Sequence, residues 1–208
     1  MEGIQERILL TANELFMRYG FRSVSMDDIA RQLGVSKKTI YQYYEEKEEL
    51  VSAIFRQHQS QWLKNAEHIK SSSADALEEL LLFTDLVRQQ LATINPSVLF
   101  DLYKYHRSVW DEWSTYKTNI ARQHVIGTLE RGIQEGFFRT DLDPAIMAVM
   151  RLEQVEMSFN DHLFPSSKFS IQKVHAHLFD HFLQGILTDQ GRKLYANRKP
   201  TIQSIENQ

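Results

Sequence analysis

The sequence predicts an all-α chain, and three observations carry that prediction. Apolar residues recur at helical spacing along the chain. Four prolines and eight glycines in 208 residues are too few for a turn-rich β architecture. Most of them fall between the periodic stretches, where helices stop and start. With 42% hydrophobic residues the chain has ample material for a buried core.

The first helix is predicted over about Ile4 to Tyr19. Ile4, Ile8, Ala12, Leu15 and Tyr19 make one stripe, Leu9 and Phe16 broaden it, and Gly20 ends it. Ser25 can cap a second helix, with Asp28 three positions on completing a capping box. Ile29, Ala30 and Leu33 form its apolar stripe, and Gly34 supplies the positive φ that terminates it. Ser36 caps a third helix two residues later, so the turn is as short as a helix-turn-helix requires.

The third helix, about Lys37 to Tyr43, carries the chemistry. Ile40 and Tyr44 are placed to bury one face. Lys37, Lys38, Tyr41 and Gln42 occupy the opposite arc, with Thr39 and Tyr43 at its edges. Ammonium and phenol groups suit phosphate oxygens, and a glutamine amide can pair at two points with an adenine edge. The helix N-terminus adds free N–H groups and a positive dipole. An ordinary solvated helix face presents a polar arc too, so the arc alone leaves both readings open.

In register, however, these residues match a family. Ala12-x-x-Leu15-Phe16-x-x-x-Gly20-Phe21 is followed by Ser25-x-x-x-Ile29-Ala30. Then comes Gly34-Val35-Ser36-Lys37-Lys38-Thr39-Ile40-Tyr41-x-Tyr43-Tyr44-x-x-Lys47-Glu48-x-Leu50. Residues 7–50 thereby resemble the N-terminal domain of the tetracycline-repressor-like (TetR) transcriptional regulators. The resemblance implies a homodimer that binds a double-stranded DNA operator and is released by a small-molecule effector. It implies DNA contacts from Ser25, Ser36, Lys37, Lys38, Thr39, Tyr41, Gln42, Tyr43 and Lys47, with Lys47 meeting a phosphate. It also implies two domains, residues 1–48 for DNA and 49–208 for effector binding and dimerisation. Tyr44 stands where phenylalanine is common, which keeps the aromatic packing. Glu45 and Glu46 stand where small residues or proline are common, and their charges should repel nearby DNA.

The remaining elements are also predicted helical. One runs from near Glu46 to about Ile69. Ser71-Ser72-Ser73 breaks the chain, and Ser73 is expected to cap a helix bearing Leu77, Leu80, Leu81, Thr84, Val87 and Leu91. Asn95-Pro96 restarts the chain with proline in the first turn of a short helix to about His106. A long helix from about Ser108 to Glu135 is closed by Gly136. Asp143 and Pro144 then offer a cap and first-turn residue for a helix over about 145–160. Another helix spans about 170–187, and the polar residues after about Lys199 are expected to fray. Met147, Met150, Leu152, Val155 and Phe159, with Val174, Leu178, Phe182 and Leu183, supply apolar surface for a four-helix interface between two copies.

Composition excludes several functions. There is no cysteine, hence no disulfide, thiolate metal site or cysteine nucleophile. The formal charge is −3, and residues 1–50 hold seven Lys/Arg against nine Asp/Glu, so DNA binding must rest on a local arrangement. MEGIQERILL lacks a secretion pattern and no apolar run reaches membrane length, which predicts a soluble, cytoplasmic protein. No nucleophile elbow, zinc-protease motif or phosphate loop occurs, so no enzyme and no cofactor is expected. His177 and His181 lie i,i+4 and could share a metal, but His175 diverges and no carboxylate completes a set; packed histidines are the plainer reading. Phe83, Tyr103, His106, Trp110 and Trp113 are the candidate lining of an apolar or aromatic effector's pocket, against the alternative that they form a core stripe.

Overall fold

The computed structural model describes residues 3–206, with side chains through residue 198. Among these residues every regular element is helical: α1 (Ile4–Tyr19), α2 (Met26–Leu33), α3 (Lys37–Tyr41), α4 (Lys47–Ser72), α5 (Ala76–Leu91), α6 (Val98–Tyr105), α7 (Arg107–Tyr116), a π-helical turn (Lys117–Ala121), α8 (Arg122–Gln134), α9 (Pro144–Met157), α10 (Ile171–Ile186) and α11 (Asp189–Glu206). The fold is therefore all-α, with a helix-turn-helix at the N-terminus and a helical C-terminal domain.

The local signals act as their chemistry requires. The Ser25 hydroxyl accepts from the Asp28 N–H while Asp28 accepts from the Ser25 N–H, a closed capping box. Gly34 is left-handed at φ 69°, and its N–H is taken up by carbonyls of the last turn of α2. At Gly20 a second constraint applies, because a Cβ there would lie 2.7 Å from Ser97 Oγ. The α1–α2 turn is thus pressed against the start of α6. Asp143 caps α9 by accepting from the N–H groups of Ala145 and Ile146.

Four expectations need correction. Ser73 does not start α5; it closes α4, and Asp75 caps α5 by accepting from the Glu78 N–H. The Asp75 carboxylate is also gripped by Arg198, a partner 123 residues away that local reading could not supply. Pro96 lies in the turn before α6, whose first residue is Val98. The single helix expected over 108–135 is two α-helices joined through a π-turn. Finally, α11 was not predicted, since its segment lacks a clear apolar stripe. It is held by its start, where Thr188 and Gly191 meet the Phe137 carbonyl region, and by Leu194 and Tyr195 packing on the core.

Two cores organise the chain. The first joins α1–α3 to the start of α4 and continues into α6 and α7 through Val98, Leu102 and Val109. Its packing therefore does not stop at residue 48. The second is built from α5, α8, α9, α10 and the start of α11, around Leu77, Leu129, Phe138, Phe182 and Leu183. Helix α4, about 39 Å long at 1.5 Å per residue, runs from one toward the other.

Candidate nucleic-acid interface and ligand cavity

The exposed end of the first core is made by α2 and α3. Ile40 is fully buried and anchors α3, while Lys37, Lys38, Tyr41, Gln42 and Tyr43 face solvent and Thr39 is half-buried. The Ser36 hydroxyl accepts from the Thr39 N–H at 3.1 Å and lies 2.8 Å from the Thr39 hydroxyl. Ser25 and Ser36 are both exposed. Lys37 is held 3.0 Å from Asp27, which raises its pKa, and its ammonium lies over the Tyr41 ring. That exposed pair is weak.

Lys47 departs from the expectation. Its ammonium turns inward, donates to the Phe21 carbonyl and lies 5.4 Å from the Phe16 ring centroid. Burial lowers its pKa, opposed by the charges of Asp101 and Asp28. In this conformation Lys47 braces the α1–α2 turn.

A cavity of about 260 Å³ lies between α4, α5, α7, α8 and α9. Its walls are mostly aliphatic and aromatic. Trp62 stacks on Phe83 with centroids 5.7 Å apart, and Trp113 stacks on Tyr116 at 6.0 Å. Met17 of α1, Phe55 of α4 and Val98 of α6 also line it, so the cavity touches the first core directly.

Of the five residues expected to form a pocket, Phe83 and Trp113 line this cavity, while Tyr103, His106 and Trp110 do not. The helical stripe that joined them in sequence is broken at His106, where φ −132° and ψ 60° leave the helical region. Tyr103 stands 53% exposed against the edge of Trp110, and Trp110 packs on the first core. His106 is buried edge-on to Phe21, its Nδ1 paired with the Glu48 carboxylate. These three residues brace the joint between α6–α7 and the N-terminal domain. Ser108 and Glu112 do the same, binding Glu48 and the Ser52–Arg56 pair respectively.

The polar wall of the cavity was missed. The Lys117 ammonium, brought in by the π-turn, lies 2.9 Å from both Glu153 and Glu156, and Glu156 also accepts from Trp113 Nε1 at 3.1 Å. Arg151 is 5% exposed. Its Nη2 donates to His175 Nε2 at 2.9 Å, its guanidinium lies 5.0 Å from the Phe179 centroid, and burial lowers its pKa to about 10. Tyr116 was within reach of sequence reasoning, being one helical turn beyond Trp113. Arg151 was not, because its segment reads as interface from its apolar neighbours. His177 and His181 are exposed on α10, apart from the buried His175.

Residues 8–54 match the sequence model described as bacterial regulatory proteins, tetR family. The chain is 26% identical to the helix-turn-helix-type transcriptional regulator YvaF of Bacillus subtilis (strain 168), over 90% of this chain and 97% of that protein. It is 25% identical to the helix-turn-helix-type transcriptional repressor KstR2 of Rhodococcus jostii (strain RHA1), over 68% of this chain and 71% of that one. The solved structure of a transcriptional regulator from Saccharomonospora viridis in complex with choline superposes with a TM-score of 0.65 at 24% identity, covering 89% of this chain and 98% of that one. That likeness is one of fold. No helix among the described residues is long and apolar enough to cross a membrane.

Proposed function

Because the chain belongs to the TetR family and is a transcriptional regulator of that family, we propose that it acts as a cytoplasmic homodimeric repressor, released from its operator when a small molecule fills the cavity. In this reading residues 1–48 carry the DNA-binding surface and 49–208 the effector and dimer functions. The repressor character of KstR2 supports the sign of regulation. The observation that carries the reading is that one cavity is walled by both cores, with Met17 and Phe55 on one side and Leu80 and Val125 on the other.

The mechanism follows from that shared wall. An effector shifts the equilibrium only by binding better to a geometry unfit for DNA. An occupant wedged between Phe55 and Trp113 pushes α4 away from α7. The DNA-binding domain must follow, because Glu48 is tied to His106 and Ser108, and the Arg22 N–H donates to Asp101 of α6 at 3.1 Å. In a dimer the two α3 helices must sit about 34–36 Å apart to enter successive major grooves. A tilt of α4 changes that spacing. Ile146, Val149 and Met150 form an exposed apolar stripe on α9, which suits pairing with a second copy.

On α3, Gln42 is the candidate base reader, while Lys37, Lys38 and Tyr41 are candidates for phosphate. The test begins by selecting a preferred site from random duplex DNA and measuring affinity by fluorescence anisotropy. Gln42→Ala should erode preference for that site, while Lys38→Ala should weaken all duplexes alike and flatten the salt dependence. No site preference in the wild type, or an unchanged preference in Gln42→Ala, overturns this assignment.

The choline complex of the Saccharomonospora viridis protein raises a second reading, a cationic effector held by the rings of Trp62, Trp113 and Tyr116. The charges of this cavity oppose it. Its acidic wall residue, Glu156, is already neutralised by Lys117, whereas Arg151 meets no opposite charge among the described residues.

A further inference from the structure

Among the described residues Arg151 has no counter-charge. Its hydrogen-bond partner is a neutral imidazole and its stacking partner a phenyl ring, and its Nη1 has no hydrogen-bond partner among the described residues. A buried guanidinium left in this state is costly unless something anionic completes it. The other charged groups of the cavity wall are closed upon each other, with Lys117 between Glu153 and Glu156. The Tyr116 hydroxyl is a second buried polar atom of the same wall without a partner among the described residues. Burial raises its pKa, so it stays a phenol and keeps a proton to donate. The rest of the lining is mainly aliphatic or aromatic, with His58, Gln59, Thr84, Gln90, His124 and Thr128 as its other polar members.

We infer that the cavity takes an amphipathic carboxylate, whose apolar body lies among Trp62, Phe83 and Trp113 and whose carboxylate is held by Arg151, with Tyr116 as a second donor. The guanidinium is suited to this task because it is planar, permanently charged and weakly hydrated. Its attraction for an anion is strengthened by the low-dielectric surroundings. The cavity volume of about 260 Å³ suits a medium chain or a compact ring system. This inference deepens the effector reading above and rests on it for its regulatory meaning, but not for the binding itself.

Three probes with one body separate the possibilities: decanoate, decanol and decyltrimethylammonium, each titrated into the full-length protein without DNA. Trp62 and Trp113 line the cavity, so tryptophan emission reports entry. Decanoate should bind at least about tenfold more tightly than decanol, and the ammonium probe more weakly than either. Arg151→Leu should abolish the carboxylate preference while keeping decanol binding, and Arg151→Lys should restore part of it. Tyr116→Phe should reduce decanoate affinity with little effect on decanol. Equal affinity for acid and alcohol, tighter binding of the cation, a preference that survives Arg151→Leu, or no response to any probe overturns the inference. The comparison of the three probes on wild-type protein holds even if a variant fails to fold. Decanoate that binds as expected without releasing DNA would refute the effector reading and leave the anion site standing.

Discussion

Mild acid should loosen the contact between α9 and α10 through His175. Arginine can only donate, so the 2.9 Å contact from Arg151 Nη2 requires an unprotonated Nε2 on His175. The imidazole is fully buried, and burial first, then the Arg151 charge, pushes its pKa down to about 3. In the unfolded chain a histidine titrates near 6.5. The native state therefore binds fewer protons than the unfolded state between those values. The stability contributed by keeping His175 neutral is complete above about pH 6.5 and is lost as pH falls toward 3. From pH 6.5 to 5 the loss is about 2 kcal/mol, at about 1.4 kcal/mol per unit. For a chain of this size that lowers Tm by about 4–8 °C. The half-buried His124, whose pKa is lowered by burial and then by the Lys70 charge, adds to the acid loss of the wild type. A variant isolates the contribution of His175. His175→Gln keeps an acceptor for Arg151 but cannot be protonated, so its loss of stability between pH 7 and pH 5 should be smaller by about 2 kcal/mol. Urea denaturation of both proteins at the two pH values reads the difference directly. Equal acid losses would show that His175 is not the buried neutral partner described.

Three further outcomes follow from the packing. In Gly132→Ala the new Cβ would lie 2.0 Å from the ring of the fully buried Phe138. Overpacking should outweigh the helix-propensity gain of about 1 kcal/mol and leave a net loss of about 1–3 kcal/mol in urea denaturation, whereas a gain would mean that Phe138 has room to move. Ser36→Ala removes the cap of the five-residue α3. It should cost about 1 kcal/mol and several-fold in DNA affinity, while Ser36→Gly costs only a few tenths; equal effects of the two would remove the capping argument. Met150→Glu places a charge in the exposed stripe of α9 and should yield monomers in sedimentation at micromolar concentration, with a dimeric variant placing the interface elsewhere.

Read without coordinates, the sequence was informative wherever the cause of structure is local. The stripe of α1, the capping box at Ser25, the Gly34 stop, the Ser36 cap and the Asp143–Pro144 start each act within four residues. Each was therefore visible in the order of residues alone. The polar arc of α3 was legible for the same reason, since burial of Ile40 dictates what must face outward.

The cavity was legible only in part, because its walls depend on how distant helices meet. Phe83 and Trp113 could be chosen for their chemistry, but one break at His106 sent Tyr103 and Trp110 to other surroundings. Lys47 was drawn inward by a carbonyl 26 residues away, and Asp75 was claimed by an arginine 123 residues away. Arg151 came to the cavity wall without a counter-charge among the described residues, through contacts with α10 that no local pattern announced. The sequence by itself thus determined the helices and the character of their exposed faces, since backbone capping and side-chain periodicity are near-neighbour effects. Only the tertiary structure decided which buried charges are neutralised and which remain open, because the attraction that neutralises a charge depends on distance through space, not on separation along the chain.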